Sequence, residues 1–259
     1  MEYYIHGETR SSEISRLDYM AAFAANFILR DLKLFPGQRV LDLACGVGAM
    51  TGQLARRFPG IHLFGVDIQF GQLRAAQLNH PIALYVYADA VHLPFRDQIF
   101  DCVHCTWVLE HVASPLKILK EARRVLKAGG TCQFTEVDNA SFRTTPEYSE
   151  VMAVIGGFSQ LQTQSLGDPY IGQRLDYLFR EAGFSSVEAR PEHLRGDASN
   201  PFILRSLSTI FADICESVEL VLGPQMADTI HIAIARLRAL PSAEGGAIYY
   251  SPVIVRATR

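Results

Sequence analysis

The chain has 259 residues, of which 49% are apolar and 20% charged, and its formal net charge is −3. That length carries one large α/β domain, or a core domain with insertions. The slightly acidic balance speaks against a phosphate-driven nucleic-acid binder, which needs a basic face, and no block of like charges marks a charged tail.

The opening residues, "MEYYIHGETRSSEISRL", have no apolar signal core. The longest apolar stretches fall far short of a membrane span. The expectation is a soluble, cytoplasmic protein with no membrane and no nucleic-acid partner. The five cysteines, Cys45, Cys102, Cys105, Cys132 and Cys215, are irregularly spaced. Cys102 and Cys105 form a C-x-x-C inside a strand-like run, and no second pair completes a zinc site. They read as small buried hydrophobes, with no metal expected.

Apolar positions Ile14, Leu17, Met20, Ala21, Ala24, Phe27 and Ile28 recur at helical spacing and predict a helix over 13–33. Pro36-Gly37 breaks the chain. A regular alternation follows: strand Val40–Ala44, helix 49–58, strand His62–Val66, helix 69–79, strand Ile82–Tyr87 and strand Ile99–Thr106. Ser114 caps a helix that Pro115 enters and "LKAGG" ends. Cys132–Val137 is a fifth strand. Strands and helices in this order predict a parallel sheet with helices on both faces.

After Val137 the chain turns polar over 139–169, then a helix near 170–182 and a strand near 184–190 resume the alternation. Residues 200–240 read as two helices flanking "GPQ". The final "AIYYSPVIVRATR" is strand-like, with Pro252 placing it at an edge or a bulge. The predicted organisation is an N-terminal helical cap or lid (1–35), a cofactor-binding core (36–138), a helical cover in two pieces (139–169 and 191–246), and remaining core elements (170–190 and 247–259).

The candidate site starts at "VLDLACGVGAM", where Gly46 and Gly48 follow a strand. A P-loop needs G-K-[S/T], and Ala49 and Met50 stand there instead. A dinucleotide fingerprint needs a third glycine, and Thr51 occupies that place. Asp42, inside the strand, repels pyrophosphate but suits a ligand bearing an ammonium or sulfonium charge. Asp67 ends the second strand about twenty residues on, the usual place of an acid that accepts from ribose hydroxyls. Asp89 ends the third strand, within reach of an adenine amine. Three acids at successive strand ends predict an adenosine with positive charge and no phosphates.

Together "VLDLACGVGAMTGQLA", "GVDIQ", "YADAVHLPF", "FDCVHCTWVLEHV" and "EARRVLKAGG" resemble the ordered motifs of class I S-adenosylmethionine-dependent methyltransferases, of the ubiquinone and menaquinone methyltransferase type. The resemblance implies a Rossmann-like, seven-stranded, mostly parallel sheet with helices on both faces, an N-terminal helical lid and an inserted helical cover. It also implies roles: Asp42, Ala44 and Gly46 around the methionine part, Gly48 in the same loop, Asp67 on the ribose and Ile68 against the adenine. Asp89 and the Ala90 amide would read the adenine edge, and Thr106 would lie below the methionine tail. In "MEYYIHGE", Tyr4 is a candidate for contact with the cofactor.

Methyl transfer needs a base only when the acceptor must lose a proton. His111 in "LEHV", His193 in "RPEHLRGD" and His6 are the catalytic candidates, with a structural role the alternative for each. The expected activity is methylation of oxygen or carbon on a small-molecule acceptor, possible in specialised metabolism, with a homodimer left open. A non-catalytic, cofactor-binding scaffold or partner subunit is the alternative. A nicotinamide-dependent oxidoreductase is a third reading.

Overall fold

A computed structural model describes residues 11–259 of the protein, with side chains from residue 13 onward. The candidates Tyr4 and His6 therefore lie outside the described residues. Helix α1 (Ser11–Ile28) leads into β1 (Arg39–Leu43), α2 (Ala49–Arg57), β2 (His62–Asp67), α3 (Phe70–Asn79), β3 (Leu84–Tyr87), β4 (Phe100–Thr106), α4 (Pro115–Val125) and β5 (Leu126–Glu136). The second half supplies β6 (Arg143–Thr145), α5 (Ser149–Gln164), α6 (Leu175–Glu181), β7 (Ser185–Pro191) and β8 (Leu194–Gly196). Then come α7 (Pro201–Ser217), the short α8 (Glu219–Leu222), α9 (Ala227–Ala239), β9 (Ala247–Tyr250) and β10 (Val253–Thr258).

Seven strands make one sheet in the order β3-β2-β1-β4-β5-β10-β7. Only β10 runs against its neighbours. This is the predicted Rossmann-like sheet. Its central strands β1, β4 and β5 are largely buried on both sides because helices cover both faces. On one side Val40, Cys102 and Ile254 face α1 and the cover. On the other, Leu41, Leu43, Val103 and Phe134 pack with Ile118, Leu119, Ala122 and Val125 of α4 and with α6. All five cysteines are buried and free. No helix among the described residues is long and apolar enough to cross a membrane.

Several boundaries differ from the sequence reading. Helix α1 stops at Ile28, short of residue 33, because the Gln133 side-chain amide donates to the Ile28 carbonyl at 2.9 Å and holds the helix end to the sheet. "LKAGG" does not terminate α4 but opens β5, with Gly129 at φ 73° absorbing an irregularity in the pairing with β4. Ser114 stands at the N-cap of α4, but its side chain makes no capping hydrogen bond. The final run is two strands rather than one. Pro252 sits in the corner between β9 and β10, and β10 is interior to the large sheet, neither at an edge nor bulged at the proline. Strand β9 joins β6 and β8 in a separate three-stranded antiparallel sheet. The polar stretch 139–169 contains α5, whose Val151, Val154, Ile155 and Phe158 recur at helical spacing and are buried.

The small sheet fixes the cover by close backbone approach. A Cβ on Gly196 would stand 2.3 Å from the Leu204 nitrogen and 2.4 Å from its Cα, in the first turns of α7. Neither backbone atom can retreat without moving α7. We therefore expect Gly196→Ala to lower unfolding free energy by at least about 2 kcal/mol, measured by urea denaturation.

Candidate active site

The carboxyl end of β1 opens into a turn with three left-handed residues: Ala44 at φ 55°, Gly46 at φ 54° and Gly48 at φ 78°. Glycine takes this conformation without strain, and for Ala44 it costs of order 1–3 kcal/mol. Space is short as well. A Cβ on Gly46 would come within 2.8 Å of Gln72 Oε1, and one on Gly48 within 2.8 Å of the Tyr85 hydroxyl and 3.0 Å of Ala76 Cβ. The loop is thus backbone-lined where it meets the cavity. Beyond β4, Trp107 is also left-handed, at φ 56°.

Two buried carboxylates flank this turn. Asp67, 8% exposed, accepts from the Gly46 N–H through Oδ2 and from the Gln69 N–H through Oδ1, each at 2.8 Å. Burial pushes its carboxyl above the ordinary range, and these backbone donors oppose the rise. Asp42, 2% exposed, accepts from the Thr51 hydroxyl and faces His104 Nδ1 at 3.4 Å.

A cavity of about 280 Å³ opens at the carboxyl ends of β1, β2, β4 and β5. Asp42, Ala44, Gly46, Asp67, Ile68, Thr106 and His111 line it together. Gly48 shapes the turn without lining the cavity. Asp89 and Ala90 stand outside the lining; Asp89 is exposed, and its Oδ1 accepts from the Val91 N–H at 3.0 Å. His193 is exposed beside the small sheet and outside the cavity lining, with Nδ1 3.0 Å from Ser251 Oγ. The far half of the cavity is apolar: Met20, Phe23 and Phe27 from α1, Ile155 and Phe158 from α5, and Leu207, Ile210 and Phe211 from α7.

Sequence reasoning missed the polar groups at the junction of the two halves. Glu110, 5% exposed, lines the cavity and accepts from the Gln162 amide on α5. Asn139 in turn donates to Gln162 Oε1 at 3.4 Å. His111 Nε2 lies 3.6 Å from Glu110 Oε1. Behind them Glu136, fully buried, accepts through Oε1 from the N–H groups of Val108 and Leu109 at 3.0 and 2.9 Å, and so holds the loop after β4. Burial first, then the negative charge of Glu110, push the Glu136 carboxyl up to about 8. A signal was present: "FTEV" and "VLEHV" each place a glutamate within an apolar run. Among the lining residues the carboxylates are Asp42, Asp67 and Glu110, and the cationic side chain is Arg16, which pairs with Glu13 at 2.7 Å.

Comparison with known proteins agrees with this fold. A family described as "Methyltransferase domain" matches residues 41–134. The demethylmenaquinone methyltransferase of Staphylococcus saprophyticus is 30% identical over 184 residues, covering 63% of this chain and 77% of that protein. The chain belongs to the class I S-adenosylmethionine-dependent methyltransferases, whose cofactor is S-adenosylmethionine. It spans 44% to 64% of the length of three other curated relatives.

Two solved structures share the fold. One is a phosphoethanolamine N-methyltransferase of Haemonchus contortus, bound to phosphomonomethylethanolamine and S-adenosylhomocysteine. It has 18% identity and a TM-score of 0.62, over 97% of this chain and 58% of that one. The other is the [4+2]-cyclase SpnF, with 19% identity and a TM-score of 0.57, over 93% of this chain and 81% of that one.

The Glu136 environment makes a stability prediction. Its folded carboxyl holds its proton to about 8, against an ordinary value of 4.5. Between those values the unfolded chain has released the proton and the folded chain keeps it, so stability falls as pH rises through this window. Glu136→Gln keeps the acceptor for Val108 and Leu109 but cannot ionise. Its unfolding free energy relative to the native protein should therefore rise from pH 4.5 to pH 8, read by denaturant titration at each pH.

Proposed function

We propose that the protein transfers a methyl group from S-adenosylmethionine to a small, largely apolar acceptor, at oxygen or carbon. The observation that carries this reading is one cavity with two halves. A glycine-flanked acidic end meets an apolar end roofed by α5 and α7. The residues fit the cofactor: Gly46 brings bare backbone to the cavity beside Asp42 and Asp67, and among the described lining residues the cationic side chain, Arg16, is already paired with Glu13.

In this reading Asp42, Ala44 and Gly46 hold the methionine part, the Ala44 carbonyl region accepting from its ammonium. Asp67 turns its remaining lone pairs to the ribose hydroxyls, and Ile68, 41% exposed and in the lining, lies against the adenine. Asp89 and the Ala90 amide, beyond the end of β3, would read the adenine edge after a small approach of their loop. Thr106 lies below the methionine tail. Tyr4, outside the described residues, is the remaining candidate for contact with the cofactor. When bound, S-adenosylmethionine supplies a methyl carbon already activated by the sulfonium.

The rest of the work is alignment and exclusion of water. The apolar wall from α1, α5 and α7 seats the acceptor beside the acidic end, and the covers 139–169 and 191–246 close over it. His111, on the cavity wall, is the histidine placed to take a proton should the acceptor carry one. The proposed setting is cytoplasmic, without a nucleic-acid partner, and sedimentation decides between monomer and homodimer. A radiolabelled methyl-transfer assay against a metabolite extract tests the activity. Label in an extractable product supports it, and cofactor binding with no transfer favours a non-catalytic scaffold. Asp67→Ala should weaken S-adenosylmethionine binding by roughly 1.5–3 kcal/mol, the scale of hydrogen bonds to a charged group. An unchanged dissociation constant would remove Asp67 from the ribose role.

A further inference from the structure

Asp42 is one end of a polar row buried in the large sheet. Asp42 on β1, His104 on β4, Gln133 on β5 and Arg256 on β10 are partners in register across four neighbouring strands. They share the face that carries Val40, Cys102 and Ile254, beneath α1. His104 and Gln133 are both 0% exposed. Polar side chains inside a sheet core are costly unless each has a partner, so the row's internal bonding shows what each member does.

The hydrogen bonds of the Gln133 side chain run away from His104. Its amide nitrogen donates to the Ile28 carbonyl at 2.9 Å, and its oxygen accepts from Arg256 Nε at 2.8 Å. His104 Nε2 is buried with no partner among the described residues. The polar contact left to His104 is Nδ1 to Asp42 Oδ1, at 3.4 Å. A carboxylate oxygen only accepts, so the ring proton belongs on Nδ1, and a proton on Nε2 would have nothing to receive it. Thr51 meanwhile donates to the other Asp42 oxygen. Two donors from two elements thus fix the plane of the carboxylate that faces the cavity.

We propose that His104 is a positioning residue for cofactor binding: its Nδ1–H orients Asp42 toward the cationic end of S-adenosylmethionine. This rests on the cofactor reading above. A fully buried imidazole with one polar contact is a poor choice for packing alone, since an apolar side chain would fill the same space without an orphaned nitrogen. Its value lies in the single bond it makes, which orients the carboxylate that faces the cavity.

Three substitutions separate the N–H from the shape of the ring. In His104→Asn the amide nitrogen stands where Nδ1 stood. In His104→Gln it reaches instead toward the place of Nε2, and His104→Leu removes the donor. Calorimetric titration with sinefungin, an amine-bearing analogue of the cofactor, is read beside thermal unfolding of each variant. The expected result is affinity roughly tenfold weaker for Leu and Gln, and within about threefold of the native protein for Asn. If Leu fails to fold, the contrast between Gln and Asn carries the test. Equal native-like affinity in all folded variants overturns the proposal, and so does equal loss in Asn and Gln, which would assign the effect to ring shape. Absence of binding by the native protein overturns the cofactor reading itself, and this inference with it.

Discussion

The carboxylate of Asp67 joins two loops that no strand pairing joins. One oxygen accepts from Gly46 in the turn after β1, and the other from Gln69 at the start of α3, each at 2.8 Å. Without that bridge the left-handed turn through Ala44, Gly46 and Gly48 would lose its side-chain anchor to the neighbouring strand. The main-chain bond from Cys45 N–H to the Val66 carbonyl, at 2.9 Å, would remain as a tie between the same two strand ends. The acidic half of the cavity depends on this cross-link. Its charge costs desolvation, seen in the upward push on its own ionisation, and ligand hydroxyls or a nearby cation are the groups that offset such a cost.

The second half of the cavity rests on a different kind of constraint. Helix α1 is pinned at its carboxyl end by Gln133, and α5 is pinned to the core by the bond from Gln162 to Glu110. Both are buried polar side chains that reach across elements, and Gln162 does so through Glu110, which lines the cavity. The core and the cover therefore meet through directional bonds as well as apolar packing. Such bonds set the relative placement of donor and acceptor more sharply than packing does, because a displacement leaves a buried polar group unpaired.

The order of β1 to β5 and their helices was legible because apolar runs and helical periods alternate along the chain, with glycine or proline at many of the breaks. Asp42 and Asp67 were legible because their spacing from Gly46 ties them to the loop, whereas Asp89, read from the same pattern, stands outside the cavity lining. The small sheet was not. Strands β6 and β8 have three residues each, too few for any alternation to show, and β9 runs into β10 through Ser251 and Pro252 as one apolar stretch. His104, Gln133, Glu110 and Glu136 escaped for another reason. Each is a single polar residue within an apolar run, and its meaning comes from a partner on a different element. Polar residues at matching depths on β1, β4, β5 and β10 become a row only when the strand order is known.

In the proposed function, carboxylates at the ends of β1 and β2 select a cationic adenosine ligand over one bearing pyrophosphate. Side-by-side calorimetric titration of the native protein with S-adenosylmethionine and with NAD tests it most directly. The account predicts saturable binding of S-adenosylmethionine and no measurable heat of binding for NAD. Binding of NAD, with none for S-adenosylmethionine, would contradict it.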